Sequence, residues 1–258
     1  METVGEKRGI VLWVLDPNRV FELVRQEGGH MISAVVFDAF GTISRIGQRT
    51  NPYSALLREG RRQGVVLASD STHFVMTANL SFDQVADHLQ IELSSSKRAG
   101  MNDALGKELA SIEPYPDALE AISLLQELGV VIGICSNLAQ PYGPVIRKAF
   151  PHVQCHALSY ELGVMKPDPR IYQSICQEMG VEVSHTELER TQETHRVVMI
   201  GDSRKCDRDG PRAVGIEGYY LDRSGMGQIN DLMQFANLVI ERNRALCESS
   251  ILSTLPPS

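Results

Sequence analysis

Four short polar stretches of this chain carry residue types that could build one reactive site. In chain order they are Asp38-Ala39-Phe40-Gly41-Thr42, Ser136-Asn137, Lys166-Pro167-Asp168-Pro169, and Gly201-Asp202-Ser203 with Asp207 behind it. A carboxylate can attack an electrophile, a hydroxyl can hold an anion, an amine can neutralise it, and further carboxylates can bind a hard metal ion. Each stretch lies at or just after the end of an apolar run, so the elements ending there must position the site.

The apolar runs before these stretches predict buried strands. Residues 34–37, 130–134 and 197–200 are short and almost continuously apolar, as strands of a parallel sheet are when both faces are covered. Ligands of such sheets bind beyond the carboxyl ends of the strands. We therefore expect the side chains that follow these strands to meet at one edge of the sheet.

Helical patterns alternate with strands in the second half of the chain. Helices are predicted at 117–128, 145–150, 169–179 and from Cys206 or Asp207 to about Gly215, and further strands at 155–158 and 217–221, with an edge strand at 238–240. Residues 182–196 are strongly polar and predict a loop. This alternation indicates an α/β fold with a doubly wound, Rossmann-like parallel sheet.

Residues 48–113 have a different pattern, which predicts a helical insertion. Apolar spacing indicates helices around 53–57, 82–89 and 104–112, the second with Ser81 as its N-cap, while the polar run at 94–98 predicts a loop. No strong strand pattern interrupts this segment.

The chain is thus divided into a core, the helical insertion and two terminal segments. In order these are an N-terminal extension (1–30), the first part of the core (31–47), the insertion (48–113), the second part of the core (114–240) and a polar tail (241–258). The status of the extension stays open. Met31 directly precedes the first core strand, which fits an upstream extension, whereas apolar positions between 20 and 24 fit a short amphipathic helix.

Charge and composition argue against several classes of partner. The net charge is −7 and the pI about 5.5, which speaks against nucleic acid because phosphate binding needs clustered Lys and Arg. The five cysteines are scattered without a C-x-x-C pair, which is typical of a reduced, cytoplasmic protein. No apolar run approaches the length of a membrane span, so no membrane partner is expected. A homodimer is compatible with the pattern.

Taken together, the four stretches resemble the motifs of the haloacid dehalogenase (HAD) superfamily over about residues 31–240. The matching strings are Val35-Val36-Phe37-Asp38-x-x-Gly41-Thr42, Ile134-Cys135-Ser136-Asn137, Gly163-x-x-Lys166-Pro167-Asp168-Pro169-x-Ile171-Tyr172 and Gly201-Asp202-Ser203-x-x-x-Asp207-x-x-Gly210. One string alone is weak, whereas all of them in this order are specific. The resemblance implies a hydrolase with a Rossmann-like core, and the insertion resembles the α-helical cap of one subclass.

The resemblance also assigns roles in catalysis and substrate binding. Asp38 would be the nucleophile that forms a covalent intermediate. Ser136 and backbone N–H groups near Asn137 would hold the transferred anion, and Lys166 would neutralise the anion and the nucleophile together. Thr42 would donate a hydrogen bond to the anion or to Asp38.

Mg²⁺ is the cofactor that the resemblance implies, with Asp202, Asp38 and the backbone carbonyl of Phe40 as its ligands. The ion would shield a phosphate from the negative charge of Asp38. Asp207 would support this site or the amine of Lys166, or act as a helix N-cap. Further supporting residues are expected at Gly41, which permits the turn, at Ser203, and at Asp168, which caps the following helix.

Phe40 departs from the pattern of the family's phosphatases, which usually carry an acid two residues after the nucleophile. That acid protonates the leaving group and later activates water, and phenylalanine can do neither. Three alternatives follow. The protein is a Mg²⁺-dependent phosphatase that is slow or takes an acid from the cap; it is a metal-independent 2-haloacid dehalogenase, whose halide leaves without protonation; or it binds a phosphorylated ligand or a partner without turnover.

Different motifs favour different alternatives. An aromatic residue at position 40 is typical of the dehalogenases. An apolar pocket around Phe40 together with an arginine from the cap would favour a haloacid substrate, and the candidate arginines are Arg45, Arg49, Arg58, Arg61 and Arg62. The Gly201-Asp202 pair is typical of the phosphatases. We prefer Mg²⁺-assisted hydrolysis of a small phosphomonoester through an aspartyl-phosphate on Asp38, with a small phosphorylated molecule as the partner of the site.

Overall fold

The computed structural model describes residues 31–66, 70–181 and 196–254. The predicted N-terminal extension at 1–30 and almost all of the predicted polar loop at 182–196 lie outside these described residues. Within the described part, no helix is both long enough and apolar enough to cross a membrane.

A parallel five-stranded sheet forms the centre of the core, as the sequence predicts. The strands in chain order are β1 (Ile32–Phe37), β2 (Ser44–Ile46), β3 (Ile112–Pro114), β4 (Val131–Ser136), β5 (Cys155–Leu158), β6 (Arg196–Gly201) and β7 (Glu217–Tyr220). The central sheet has the order β5-β4-β1-β6-β7, and β2 pairs antiparallel with β3 outside it. The strand order reverses beside β1, and sheets of this kind bind ligands beyond the carboxyl ends of the strands at such a reversal, which here are the ends of β1, β4 and β6.

Helices cover both faces of this sheet, which confirms the α/β fold. In chain order they are α1 (Pro52–Arg62), α2 (Ser71–Thr77), α3 (Phe82–His88), α4 (Ser95–Ala110), α5 (Pro116–Glu127), α6 (Gly143–Ala149), α7 (Ser159–Leu162), α8 (Pro169–Glu178) and α9 (Leu232–Thr254). Successive residues of a strand point to opposite faces. Val35 and Phe37 of β1 therefore join the apolar cluster of α5 and α9, whereas Ala34 and Val36 join that of α8.

Helices α1 to α4 lie in the insertion between β2 and β3. The helices predicted around 53–57 and 82–89 are confirmed, and Ser81 caps α3 through a capping box with Gln84. The loop predicted at 94–98 is wrong, because Ser94 accepts a hydrogen bond from Lys97 N and caps α4, which begins at Ser95. Helix α2 has no counterpart in the sequence prediction, since Val75 is its one buried apolar residue and gives no apolar period.

The C-terminal part of the chain differs most from its prediction. The edge strand predicted at 238–240 is wrong, and the predicted tail continues α9 as far as Thr254. Buried residues recur with the spacing of one helix face at Leu232, Phe235, Ala236, Val239 and Asn243. The Asn243 side chain accepts from Ile32 N at 2.8 Å and donates to Ile32 O at 3.0 Å, which anchors α9 to the start of β1.

The described segment between β6 and β7 contains no regular α-helix, although one is predicted from Cys206 or Asp207 to about Gly215. Arg204–Asp209 form a π-helical turn and Pro211–Val214 a 3₁₀ turn. Proline lacks the N–H that would continue an α-helical ladder, which explains the break at Pro211.

Candidate active site

The residues predicted to act together converge at the carboxyl ends of neighbouring strands. Asp38 follows β1, Ser136 ends β4, and Asp202 follows β6, and these strands are adjacent in the sheet. Asp38 N donates to Ile200 O at 3.0 Å, which continues the pairing of β1 with β6 into the site. Lys166 reaches the same place from the loop before α8.

Asp38 is a buried carboxylate whose two oxygens have different partners. Ser136 Oγ donates to its Oδ1 at 3.1 Å, and Lys166 Nζ donates to the same oxygen at 2.6 Å. Thr42 Oγ1 approaches the other oxygen, Oδ2, at 3.4 Å. The neighbours therefore hold the carboxylate in one orientation, which is what a positioned nucleophile requires.

Lys166 bridges two buried acids. Its Nζ lies 2.6 Å from Asp38 Oδ1 and 2.7 Å from Asp207 Oδ1, and the residue is 3% exposed. Burial alone lowers the pKa of this amine, but the charges of the two carboxylates outweigh burial and hold its pKa well above the ordinary value. The amine is therefore a fixed positive charge in the site.

Asn137 supports Lys166 through the main chain. Its Nδ2 donates to Lys166 O at 2.9 Å, and its Oδ1 accepts from Lys166 N at 2.7 Å. Both ends of the side-chain amide are thus engaged with Lys166, and the next backbone N–H, that of Leu138, donates to Ser159 Oγ at 2.9 Å. The contact of an anion with backbone N–H groups near Asn137 stays a prediction.

Asp207 is the second acid that contacts the Lys166 amine. Besides the amine it accepts a hydrogen bond from Ser203 N at 2.9 Å, and burial followed by the charge of Asp38 raises its pKa, against the opposing effect of Lys166. The N-cap of the turn is Ser203, whose Oγ accepts from Cys206 N, so Asp207 supports the amine instead of capping. A Cβ on Gly201 would lie 2.3 Å from the Asp207 carboxyl group, which explains the glycine.

Asp202 lies at the open side of the site, beside the first motif. Its backbone N donates to Thr42 Oγ1 at 3.1 Å. Burial of part of its carboxyl group and the charge of Asp38 raise its pKa, while the cations of Lys166 and Arg49 oppose the rise. Among the residues that the structure describes, no salt bridge joins Asp202 to a cation.

Three carboxylates together form a group that could hold a metal ion. One oxygen each from Asp38, Asp202 and Asp207 lies within 4.8 Å of the other two. The backbone bridge next to them uses Ser44 N to Ala39 O and Gly41 N to Ser44 O, so the Phe40 carbonyl is outside this pairing. An all-oxygen set of hard ligands suits Mg²⁺.

Phe40 packs against an aromatic ring that sequence reasoning missed. Its ring meets that of Tyr142 edge to face, with centroids 5.7 Å apart. Tyr142 Oη donates at 2.7 Å to Oε1 of Glu108, a buried acid on α4. Of the candidate arginines, Arg49 has a positive charge that opposes the rise in the pKa of both Asp202 and Tyr142. Asp168, as predicted, caps α8 by accepting from Arg170 N.

Sequence reasoning also missed Arg223, which contacts the loop of residues 38–44, called the catalytic loop below after the predicted role of Asp38. Its Nη2 donates to Thr42 O at 2.6 Å across 181 residues of chain. An arginine in a polar loop after the last strand is ordinarily a solvated charge, and Glu108 likewise looks like a surface residue of a helix.

Known hydrolases of two kinds are similar to this chain. The (S)-2-haloacid dehalogenase 4A of Burkholderia cepacia is 30% identical over 169 residues, which are 58% of this chain and 71% of the dehalogenase. A phosphatase of Mycobacterium tuberculosis is 26% identical over 220 residues, which are 78% of this chain and 94% of the phosphatase.

A solved structure shares the fold of this chain, and a family model matches most of its length. A solved HAD family enzyme from Bacteroides thetaiotaomicron, a complex with magnesium and inorganic phosphate, superposes with a TM-score of 0.54 at 15% identity, over 76% of this chain and 97% of that one. The family model for haloacid dehalogenase-like hydrolases matches residues 32–215. This chain belongs to the haloacid dehalogenase-like hydrolase family.

Proposed function

We propose that this hydrolase cleaves a small phosphomonoester through an aspartyl-phosphate on Asp38, with Mg²⁺ as its cofactor. The observation that carries the proposal is the position of Asp202 beside Asp38 and Asp207, with carboxylate oxygens within 4.8 Å of one another. Lys166 already pairs with Asp38 and Asp207. In a metal-free reaction, Asp202 would add negative charge next to the nucleophile without a cation to balance it.

The residues around Asp38 support this reaction. An oxygen of Asp38 attacks phosphorus while the bond from phosphorus to the leaving oxygen breaks; water then cleaves the aspartyl-phosphate and releases inorganic phosphate. Ser136 Oγ and Lys166 Nζ, at 3.1 and 2.6 Å from Asp38 Oδ1, orient the nucleophile and stand where negative charge on the transferred group needs stabilisation.

The proposed ligands of Mg²⁺ are the carboxylates of Asp38 and Asp202 and the backbone carbonyl of Phe40, all of them hard oxygen donors. When bound, the ion would neutralise phosphate oxygens that the charge of Asp38 otherwise repels. Burial and the charge of Asp38 raise the pKa of Asp202, and a cation bound beside its carboxyl group would offset both effects.

Residues 48–113 are proposed to act as the cap over this site. Two hydrogen bonds support this arrangement, because they join helices of the insertion to the core: Tyr142 Oη to Glu108 Oε1 at 2.7 Å, and Ser159 Oγ to Met76 O at 2.6 Å. A closed cap would exclude water while the phosphoryl group is transferred to Asp38.

The experiment that tests the proposal is phosphate release from p-nitrophenyl phosphate, with Mg²⁺ and with a chelator, by the wild type and by Asp38→Asn. We expect release that requires both Mg²⁺ and Asp38. Release that persists in Asp38→Asn, or no release above that variant, would overturn the proposal.

A second function, metal-independent hydrolysis of a 2-haloacid, is favoured by one observation. Phe40 and Tyr142 form an aromatic surface beside the nucleophile, and no proton donor stands at position 40. Asp38 would displace the halide to form an ester, which water would hydrolyse to the 2-hydroxyacid. Halide release from 2-chloropropionate in the presence of chelator would establish this alternative.

A further inference from the structure

Arg223 is the one arginine in the described chain whose guanidinium contacts the main chain of the catalytic loop. Its Nη2 donates to Thr42 O at 2.6 Å, and its Nη1 lies 3.1 Å from Asp117 Oδ2. The guanidinium also stacks on the ring of Tyr115, 3.8 Å from the ring centroid. The side chain is only 22% exposed, so these contacts are shielded from water.

Thr42 connects Arg223 to Asp38 and Asp202. Its carbonyl is fixed by Arg223, while its Oγ1 lies 3.4 Å from Asp38 Oδ2 and accepts from Asp202 N at 3.1 Å. One threonine therefore contacts both the nucleophile and the backbone of the proposed metal ligand. A shift of Thr42 would move two reacting groups together.

The groups that hold Arg223 are themselves anchored. Tyr115 N donates to Ile43 O at 2.9 Å, so the aromatic ring is fixed to the residue after Thr42. Asp117 Oδ2 accepts from Leu232 N at 2.8 Å and so joins the first turn of α5 to the start of α9. Arg223 thus links the starts of α5 and α9 to the catalytic loop.

We propose that Arg223 is a positioning residue that fixes Thr42 and thereby orients Asp38 and Asp202, an inference that rests on the reaction proposed above. The arrangement requires a planar cation with several donors. Lysine, as a point charge, can replace one contact but cannot stack on Tyr115 and donate in two directions at once.

The matched control is Arg242, which like Arg223 is partly buried and paired with a carboxylate, but which does not contact the catalytic loop. Its side chain is 33% exposed, its Nη1 pairs with Glu217 Oε2 at 2.9 Å, and it donates to Tyr219 Oη. A general effect of removing a half-buried, ion-paired arginine should therefore be shared by the two positions.

The experiment compares Arg223→Met, Arg223→Lys and Arg242→Met with the wild type. Measured quantities are kcat and KM for p-nitrophenyl phosphate at saturating Mg²⁺, and hydrogen exchange of a peptide spanning residues 38–46. We expect Arg223→Met to lower kcat about 100-fold, as a misplacement near 1 Å does, with KM changed less than about threefold. Arg223→Lys should recover part of kcat, and exchange in 38–46 should rise only in the Arg223 variants.

Equal losses in Arg223→Met and Arg242→Met, or unchanged exchange in 38–46, would overturn the proposal. If Arg223→Met does not fold, the folded lysine variant decides by the same two readouts. A wild type without phosphatase activity would contradict the proposed function. Because hydrogen exchange needs no turnover, exchange in 38–46 would still decide whether Arg223 fixes the catalytic loop.

Discussion

The carboxylate of Asp202 occupies the space that a side chain at residue 41 would fill. A Cβ built on Gly41 would lie 2.0 Å from Asp202 Oδ2, and Gly41 has φ +82°, where side chains are strained. The first and fourth motifs therefore fit together only because residue 41 is glycine.

Gly41→Ala should accordingly displace Asp202 and weaken the proposed metal site. We expect the Mg²⁺ concentration for half-maximal phosphate release to rise at least about tenfold, since a metal ligand moves. The matched control is Gly129→Ala, which has a similar φ of +75° but nothing within 4 Å of its Cβ. Mg²⁺ titrations of both variants check this, and an equal effect at the two glycines would contradict it.

Substitution of Phe40 tests how much catalytic rate is lost because position 40 carries no general acid–base group. Phe40→Asp would supply a general acid–base group, which typically contributes about 10² to 10⁴ in rate. The gain should be larger for an alkyl phosphate than for p-nitrophenyl phosphate, because an alkoxide leaves poorly without a proton. The control is Phe40→Asn, because asparagine has the shape of aspartate but cannot donate a carboxyl proton. Identical substrate preference in the two variants would refute the prediction.

Lys166→Met should destabilise the fold as well as abolish activity. The substitution leaves Asp38 and Asp207 buried without their cation, and breaking such a pair costs about 3–5 kcal/mol. Urea unfolding measures the loss. The double variant Lys166→Met/Asp207→Leu should recover part of the stability without activity. Lys107→Met, which removes an exposed pair with Asp103, should change stability by less than about 1 kcal/mol.

Glu108 should make stability depend on pH. Burial raises its pKa, but hydrogen bonds from Tyr142, Asn51 N and Thr50 outweigh burial and lower the pKa below its usual value. A folded pKa below the unfolded value of about 4.3 means that the contribution is complete above that pH and is lost as the pH falls through the folded pKa.

We therefore expect Glu108→Gln to cost about 2 kcal/mol at pH 7, the scale of hydrogen bonds to a charged group, and progressively less below about pH 4. Urea unfolding from pH 3 to 7 checks the difference between variant and wild type. The exposed Glu120→Gln is the control. A difference that stays constant over this pH range would show that the charge of Glu108 contributes nothing.

The fold and the centre of the site were accessible to sequence reasoning because their signals are local. Buried parallel strands are short apolar runs, and the polar residues that follow them, such as Asp38 and Ser136, must lie at the same edge of the sheet. The prediction at 238–240 was wrong because a short apolar run fits a strand as well as a buried helix face.

Contacts that join distant parts of the chain could not be predicted in this way. Glu108 and Tyr142 are 34 residues apart, and Arg223 and Thr42 are 181 residues apart. Nothing in the sequence near Glu108 or Arg223 distinguishes it from a surface charge. Only the packing of the inserted helices and of the loop after β7 turns these residues into partners of the site.

The hydrogen bonds between Asn243 and Ile32 bear on how the chain folds as it is synthesised. The two residues are 211 positions apart, and Ile32 begins the central strand of the sheet. Until Asn243 has been synthesised and has left the ribosome, the backbone groups of Ile32 lack the partner that they have in the finished fold. The first residue of the sheet's middle strand therefore obtains these hydrogen bonds only after about two hundred further residues have been added to the nascent chain, so this contact forms late in folding during synthesis.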